Sequence, residues 1–348
     1  MTIKPKNTGL FDVEFRFEKV QQYNHPLQKL HEYIDFDFFR TSLERFFNKD
    51  KDFRKGGRPP YDYVLMFKIL ILQRYYNLSD DNIEFSIADR ISFMQFLGLS
   101  FADNVPDAKT IWNFRDKLAH GGMIEKLFEK LDKQLDHDGI TVHKGKMIDA
   151  TIVEAPIQRN TREENQQIKK GEIPSEWKDQ PDKLKQKDTD ADWTSKGGKN
   201  YFGYKNHVKA DTETKLITGY CVTTASTHDS VETDNLTDKK EDGDAPLYAD
   251  SAYRSEEIEK MLKKKNIESQ VHEKGYRNHP LTTKQIATNK RKSKTRVRVE
   301  HIFGFMTNSM NGIKIRCRNM FRATASIGLM NLTYNLFRLV QLNVELSA

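Results

Sequence analysis

Cysteine is nearly absent: Cys221 and Cys317 are the only two in 348 residues. They have no paired spacing and no His/Cys set nearby, which excludes a disulfide framework and a structural zinc site. Both are expected as reduced, partly buried thiols. Long apolar runs are missing as well. The longest, 64–72, is broken by Lys68 and is too short to cross a bilayer. The opening MTIKPKNTGL lacks the apolar stretch of a signal peptide, so the protein is expected in the cytoplasm, with no membrane partner. No glycine loop of the phosphate-cradling kind occurs, and no Ser/His/Asp or Cys/His arrangement suggests a protein nucleophile.

What the chain has in quantity is charge. Charged residues make up 31% and hydrophobic ones 37%, enough for two domains with much solvated surface. The net charge of +7 and the pI near 9.0 are modest pointers to a polyanion, but position says more than the total. Basic residues gather at 284–298 and 314–322, between apolar segments rather than at a terminus. That is the electrostatic footprint of nucleic-acid binding; a solvated face is the alternative.

Residues 25–50 place Leu27, Leu30, Ile34, Phe39, Leu43 and Phe46 at helical intervals. A turn at 56–60 precedes 61–76, which is apolar nearly all round and reads as a buried helix. Ser79 supplies N-cap chemistry for 82–88. Gly98 closes a short helix at 92–97, and Pro106-Asp107 opens 108–118. Residues 1–135 therefore read as an all-helical domain. Its short helices admit a helix-turn-helix-like DNA reader, with Lys109, Trp112, Arg115 and Lys117 as exposed candidates, or a generic packing unit.

From residue 145 the period changes to two. A strand at 146–155 and a hairpin of 201–211 with 215–224, turned at 211–214, make three antiparallel strands. The stretch 156–200 holds only seven apolar residues and predicts a flexible polar insertion, docked through Trp193 beside Lys196 and Lys199. His228 and Asp229 end the third strand, either reaching a site as supporting groups or capping the helix at 231–236. A fourth strand at 246–249, a helix at 255–264, a fifth strand at 267–271, a loop and a helix beginning near Val299 follow, and 325–344 is a core helix.

Three carboxylates stand out. Asp149 lies in the first strand and Asp250 follows the fourth. Glu300 comes close after six basic residues in nine positions, Lys290, Arg291, Lys292, Lys294, Arg296 and Arg298. Val299, Ile302, Phe303, Met306, Met310 and Ile313 form a helical stripe, so Glu300 emerges one step round from the buried face with Arg296 four residues before it. Two strands and a late helix, each delivering a carboxylate, describe an RNase H-like mixed sheet flanked by helices, spanning 140–348. Mg2+ takes oxygen ligands from one or two carboxylates plus substrate phosphates. Two such ions, with Mn2+ as a substitute, activate an attacking oxygen and stabilise a leaving one without any protein nucleophile.

With these residues in place, the chain resembles the DDE transposases of bacterial insertion sequences, in the insertion-sequence-four and -five supergroup. The likeness runs through 57–99 and 105–115 in the helical part. It continues through Asp149-Ala150-Thr151, Trp193-Thr194, GYKNH at 203–207, His228-Asp229-Ser230, Ala249-Asp250-Ser251-Ala252-Tyr253 and VEHIFG at 299–304. It implies that Asp149, Asp250 and Glu300 are the metal-binding catalytic triad, and that Arg296 is the arginine four before the glutamate. Ser293 and Thr307 stand where relatives often carry tyrosine and lysine, which leaves phosphate handling to Lys292, Lys294 or Arg298. If the basic run, Lys290 included, is only a solvated face, the DNA path passes along Lys199, Lys205 and His207. The resemblance further implies binding of double-stranded DNA at terminal inverted repeats, cleavage by metal-activated water, joining of the freed 3′-hydroxyl to target DNA, and a homodimer on DNA at the nucleoid. A silent DNA-binding repressor and a stand-alone nuclease remain alternatives.

Overall fold

The computed structural model describes residues 9, 11–49, 56, 59–277 and 279–347. The turn expected at 56–60 falls partly outside them. The chain forms two compact units, Met1–Arg115 with Leu339–Ala348, and Asp116–Arg338.

The first unit is helical, as its apolar spacing predicts. Its centre is helix Tyr63–Tyr75, in which Ile69, Leu70, Ile71 and Leu72 have no exposed surface. A helix apolar on every face has no stable place except inside, and each such side chain contributes roughly 1.5–3 kcal/mol on burial as an upper bound. Asp62 caps this helix at the Leu65 N–H (2.9 Å) and pairs with Arg40 (2.6 Å). Phe36 and Phe39 pack on Phe67, with ring centroids 6.4 and 5.0 Å away. Ser79 caps helix Asp80–Asp89, and Gly98, at φ 75°, ends helix Ile91–Leu97. The sequence reading put the domain boundary near 135. The compact units part at Arg115 instead, because helix Met123–His137 buries Ile124, Leu127, Phe128 and Leu131 in the second unit, where Phe128 meets Tyr220 (4.9 Å between centroids).

The second unit is built on a six-stranded sheet: β1 (Lys146–Glu154), β2 (Asp192–Lys196), β3 (Lys199–Asp211), β4 (Ile217–Thr224), β5 (Pro246–Tyr248) and β6 (Glu268–Ser269). The order is β2-β3-β1-β5-β6, with β4 also on β3. Strands β1, β3 and β4 are antiparallel, and β5 and β6 continue beyond β1 in parallel. This is the RNase H-like topology. Asp211 turns the β3–β4 hairpin by accepting from the N–H groups of Glu213 (3.0 Å) and Thr214 (2.8 Å). One sheet face meets helix Met320–Leu342 through buried amides: Asn206 and Asn331 exchange bonds of 2.7 and 3.1 Å, and Asn335 brackets the backbone of Ile217. Each is satisfied, as burial demands; an orphaned partner costs about 1–3 kcal/mol. A separate apolar cluster joins Ile148, Leu247, Tyr253, Ile258 and Leu262.

Two stretches differ from expectation. The run 156–200 contains three short helices and β2, which pairs with β3. Few apolar residues suffice because Trp177 is fully buried, donates to Glu164 (2.7 Å) and lies under the Lys187 ammonium, 4.9 Å from its ring centroid; Asp188 accepts from the buried Tyr204 hydroxyl (2.8 Å). Trp193 sits within β2 against Phe202. Second, the loop expected before Glu300 contains helix Thr283–Arg296, opened by a Thr282/Gln285 capping box.

Candidate active site

Asp149 occupies β1 between the buried Ile148 and Ala150, with its side chain 16% exposed. Its Oδ1 accepts from the Ala150 N–H (2.8 Å) and its Oδ2 from Arg296 (3.0 Å). Burial pushes its carboxyl up to about 6; the Ala150 N–H, Arg296 and Lys196 oppose that shift, and Asp250 adds to it. Asp250 follows β5. Because Met147 pairs with Tyr248 in parallel, two further residues along each chain bring Asp250 level with Asp149. Asp250 caps the 3-10 turn Ser251–Tyr253 through the Ala252 N–H (2.7 Å).

Glu300 projects from helix Arg298–Asn308, anchored by the fully buried Val299, Ile302 and Met306. Arg296, at the end of the preceding helix, donates to Glu300 at 2.6 Å and to Asp149 at 3.0 Å. One guanidinium thus spans the strand carboxylate and the helix carboxylate. Among the described residues no three Asp, Glu, His or Cys groups converge on a single point; Arg296 stands between two of the acids.

The other expected contacts separate sharply. Lys290 and Lys294 are exposed on helix Thr283–Arg296. Lys292 is buried, and its ammonium donates to the Val271 carbonyl (2.9 Å), so it pins the helix to the end of the sheet. Arg298 is tied to Thr212 O (2.7 Å) and Glu213 (3.0 Å). Lys205 donates to Thr227 O (2.5 Å) and Asp229 (2.8 Å), and His207 is fully buried against Thr223 (2.8 Å) with its ring pushed down to about 4 by burial. Both side chains are held by partners within the fold itself. Arg115 forks onto Asp80 at 2.6 and 2.9 Å and reaches Gln73 at 2.7 Å, a structural tie within the helical unit, whereas Lys109 and Lys199 are exposed. His228 caps the 3-10 helix Asp229–Glu232, and Asp229 is held by Lys205. Ser293 bonds Asn289 O (2.9 Å) and lies 3.3 Å from His272; Thr307 bonds Phe303 O (2.8 Å).

Sequence reasoning passed over Tyr253. Its hydroxyl is buried without a partner and lies in the field of Asp149, Asp229 and Asp250, which together with burial pushes its pKa upward. Its place three residues after Asp250 was the available signal.

An RNase H-like sheet that brings two aspartates level on neighbouring strands, with a glutamate on a late helix, defines a polynucleotidyl transferase. Residues 15–117 match the family model described as transposase domain (DUF772), and residues 141–336 match the transposase DDE domain. The latter covers more than half the chain, which belongs to this family: it is a DDE transposase of the insertion-sequence-four type. Among solved structures it is similar to a piggyBac transposase synaptic complex with hairpin DNA (11% identity, 93% of this chain and 76% of that one, TM-score 0.46). It is also similar to a pre-cleavage Mos1 transpososome (10% identity, 87% and 86% covered, TM-score 0.20). Among the described residues, no helix is long and apolar enough to cross a membrane.

DDE transposases generally use divalent metal. All three acids offer the hard oxygens that such an ion takes, and Arg296 is hydrogen-bonded to two of them, Asp149 and Glu300.

Proposed function

We propose that this chain binds the terminal inverted repeats of its own element as a homodimer in the cytoplasm, at the nucleoid, nicks them, and joins the freed 3′-hydroxyl to target DNA. Asp149, Asp250 and Glu300 hold the metal, two Mg2+ ions for which Mn2+ substitutes. Bound there, the metal supplies Lewis acidity at the reacting phosphate and lowers the pKa of the attacking water. In the first step a water oxygen bonds to phosphorus and the 3′ oxygen leaves as the hydroxyl. In the second, that hydroxyl attacks a target phosphodiester and a target 3′ oxygen leaves. Asp149 and Asp250 fix the strand side of the site, Glu300 the helix side, and Arg296 exchanges its carboxylate partners for a DNA phosphate, to which its planar fork is matched. Exposed Lys290, Lys294 and Lys109 add backbone contacts.

The observation that carries this reading is the single guanidinium shared by Asp149 and Glu300, 147 and 4 residues from it in sequence. Incubating purified protein with labelled terminal-repeat DNA and Mg2+ tests it. Joined products support transposition; hydrolysis alone indicates a nuclease, and binding alone a repressor.

A further inference from the structure

The charged groups of the site rest on two supports. Asp149 and Asp250 belong to the sheet, whereas Arg296 and Glu300 belong to consecutive helices. Among the described residues no hydrogen bond or ion pair joins Asp250 to Asp149, Arg296 or Glu300. The backbone just after β6 spans the gap. Its Gln270 N–H donates to the Leu247 carbonyl (2.9 Å) and its His272 N–H to the Ala249 carbonyl (3.1 Å). The parallel pairing with β5 thus runs on to the residue before Asp250. Val271 anchors it there, buried in the apolar cluster that also holds Ala249 and Tyr253.

The same backbone holds helix Thr283–Arg296. Asn289 exchanges two bonds with Glu273, accepting from its N–H (2.9 Å) and donating to its carbonyl (3.0 Å). Lys292 donates to the Val271 carbonyl (2.9 Å). Ser293 gives its one hydroxyl proton to the Asn289 carbonyl (2.9 Å), so at its 3.3 Å contact with His272 the imidazole Nε2 is the donor. Asn289, Lys292, Ser293 and Arg296 follow at i, i+3, i+4 and i+7, one face of an α-helix. Lys290, Arg291 and Lys294, between them, are exposed. Three members of the stripe grip 271–273. The fourth is the guanidinium on Asp149 and Glu300.

We propose that 270–273 is the spacer that registers Asp250 against Arg296, with Asn289 and His272 as its positioning residues. Asn289 sets the height of the helix along the spacer, because its amide matches the N–H and C=O of one residue and a shift by one position breaks both bonds. His272 ties the level of Ala249, through its backbone, to Ser293, less than one helical turn before Arg296. The inference rests on the metal-dependent cleavage reading given above. Such a site tolerates little displacement, since a misplacement of ~1 Å at a reacting centre costs about 10²-fold.

The test compares wild type with Asn289→Ala, Ser293→Ala, His272→Ala and His272→Gln, with Asp250→Ala as the reference for a broken site. Two quantities are read. One is nicking of labelled terminal-repeat DNA in Mg2+. The other is the Mn2+ affinity of the protein–repeat complex, taken from the paramagnetic signal of free Mn2+ after subtracting binding by DNA alone. Asn289→Ala is expected to lower both by ~10-fold or more, and Ser293→Ala and His272→Ala lower both by less. His272→Gln, whose amide N–H reaches the place of Nε2, restores both. Loss of folded protein alone reduces nicking and the amount of Mn2+ bound but leaves the affinity of the folded fraction unchanged, and that pattern overturns the proposal. Wild-type nicking and affinity in Asn289→Ala overturn it equally. If Asn289→Ala does not fold, the same decision is read from Ser293→Ala and His272→Ala. Where wild type nicks and holds Mn2+ and Asp250→Ala does neither, a failure of the spacer variants to differ from wild type sinks the spacer alone. If wild type does not nick repeat DNA, the cleavage reading falls and this inference with it.

Discussion

The basic run at 290–298 divides its positive charge between engaged and exposed groups, whereas the β2–β3 turn leaves both of its lysines exposed. The run is dense, yet Lys292 is consumed by the Val271 carbonyl, Arg296 by Asp149 and Glu300, and Arg298 by the hairpin at Thr212 and Glu213. The turn has two lysines and neither is engaged. Charge density along a sequence therefore overstates the cations available to a polyanion. What decides availability is whether the fold already supplies an acceptor, because breaking a buried charged bond costs several kcal/mol whereas an exposed ammonium gives up only water.

Substitutions that separate engaged from free cations sharpen this contrast. Arg296→Ala removes a cation from the reacting centre and is expected to lower the cleavage rate by ~10², while repeat binding in a filter assay stays within a few-fold. An equal loss of both would make Arg296 an ordinary backbone contact. His207 belongs to the covered class and is read through pH. Its folded pKa of about 4 lies below the ordinary 6.5, so the unfolded chain binds more protons between those values. Stability contributed by the buried neutral ring is present above about pH 6.5 and lost as pH falls towards 4, by up to roughly 2–3 kcal/mol. Denaturant midpoints of wild type and His207→Asn should diverge less at pH 4 than at pH 7; a pH-independent difference sinks the assignment. Lys292→Ala should cost about 1–2 kcal/mol of stability through the orphaned Val271 carbonyl and leave the salt dependence of DNA binding untouched. Lys290→Ala with Lys294→Ala should do the reverse, flattening the salt slope by up to about 1.8 at an unchanged melting temperature.

The elements that carry the candidate site were legible where chemistry and local pattern coincide. Asp149 and Asp250 are carboxylates at short apolar strands, and Glu300 lies one step off a helical stripe, so strand, strand and helix were readable before any contact was known. The antiparallel hairpin at 211–214 was readable for the same reason. The fate of Lys205, His207, Arg115 and Lys292 was not, because their partners Asp229, Thr223, Asp80 and Val271 lie 24, 16, 35 and 21 residues away, and nothing local announces them. Strand β2 and the helices within 156–200 were missed because hydrophobic counting gives no weight to one tryptophan enclosed by Glu164 and Lys187. Helix Thr283–Arg296 was missed because its periodic face is mostly polar.

Asp250 is the acid whose place in the site depends most on the fold. No side-chain bond joins it to Asp149 or Glu300 among the described residues; strand register alone sets it level with Asp149. The most direct measurement is therefore the nicking of labelled terminal-repeat DNA by Asp250→Ala in Mg2+, with repeat binding measured in parallel. Losing a metal ligand removes several kcal/mol of transition-state stabilisation, so the variant should bind as wild type does while nicking falls by ~10³ or more. Nicking at the wild-type rate would contradict a three-carboxylate site.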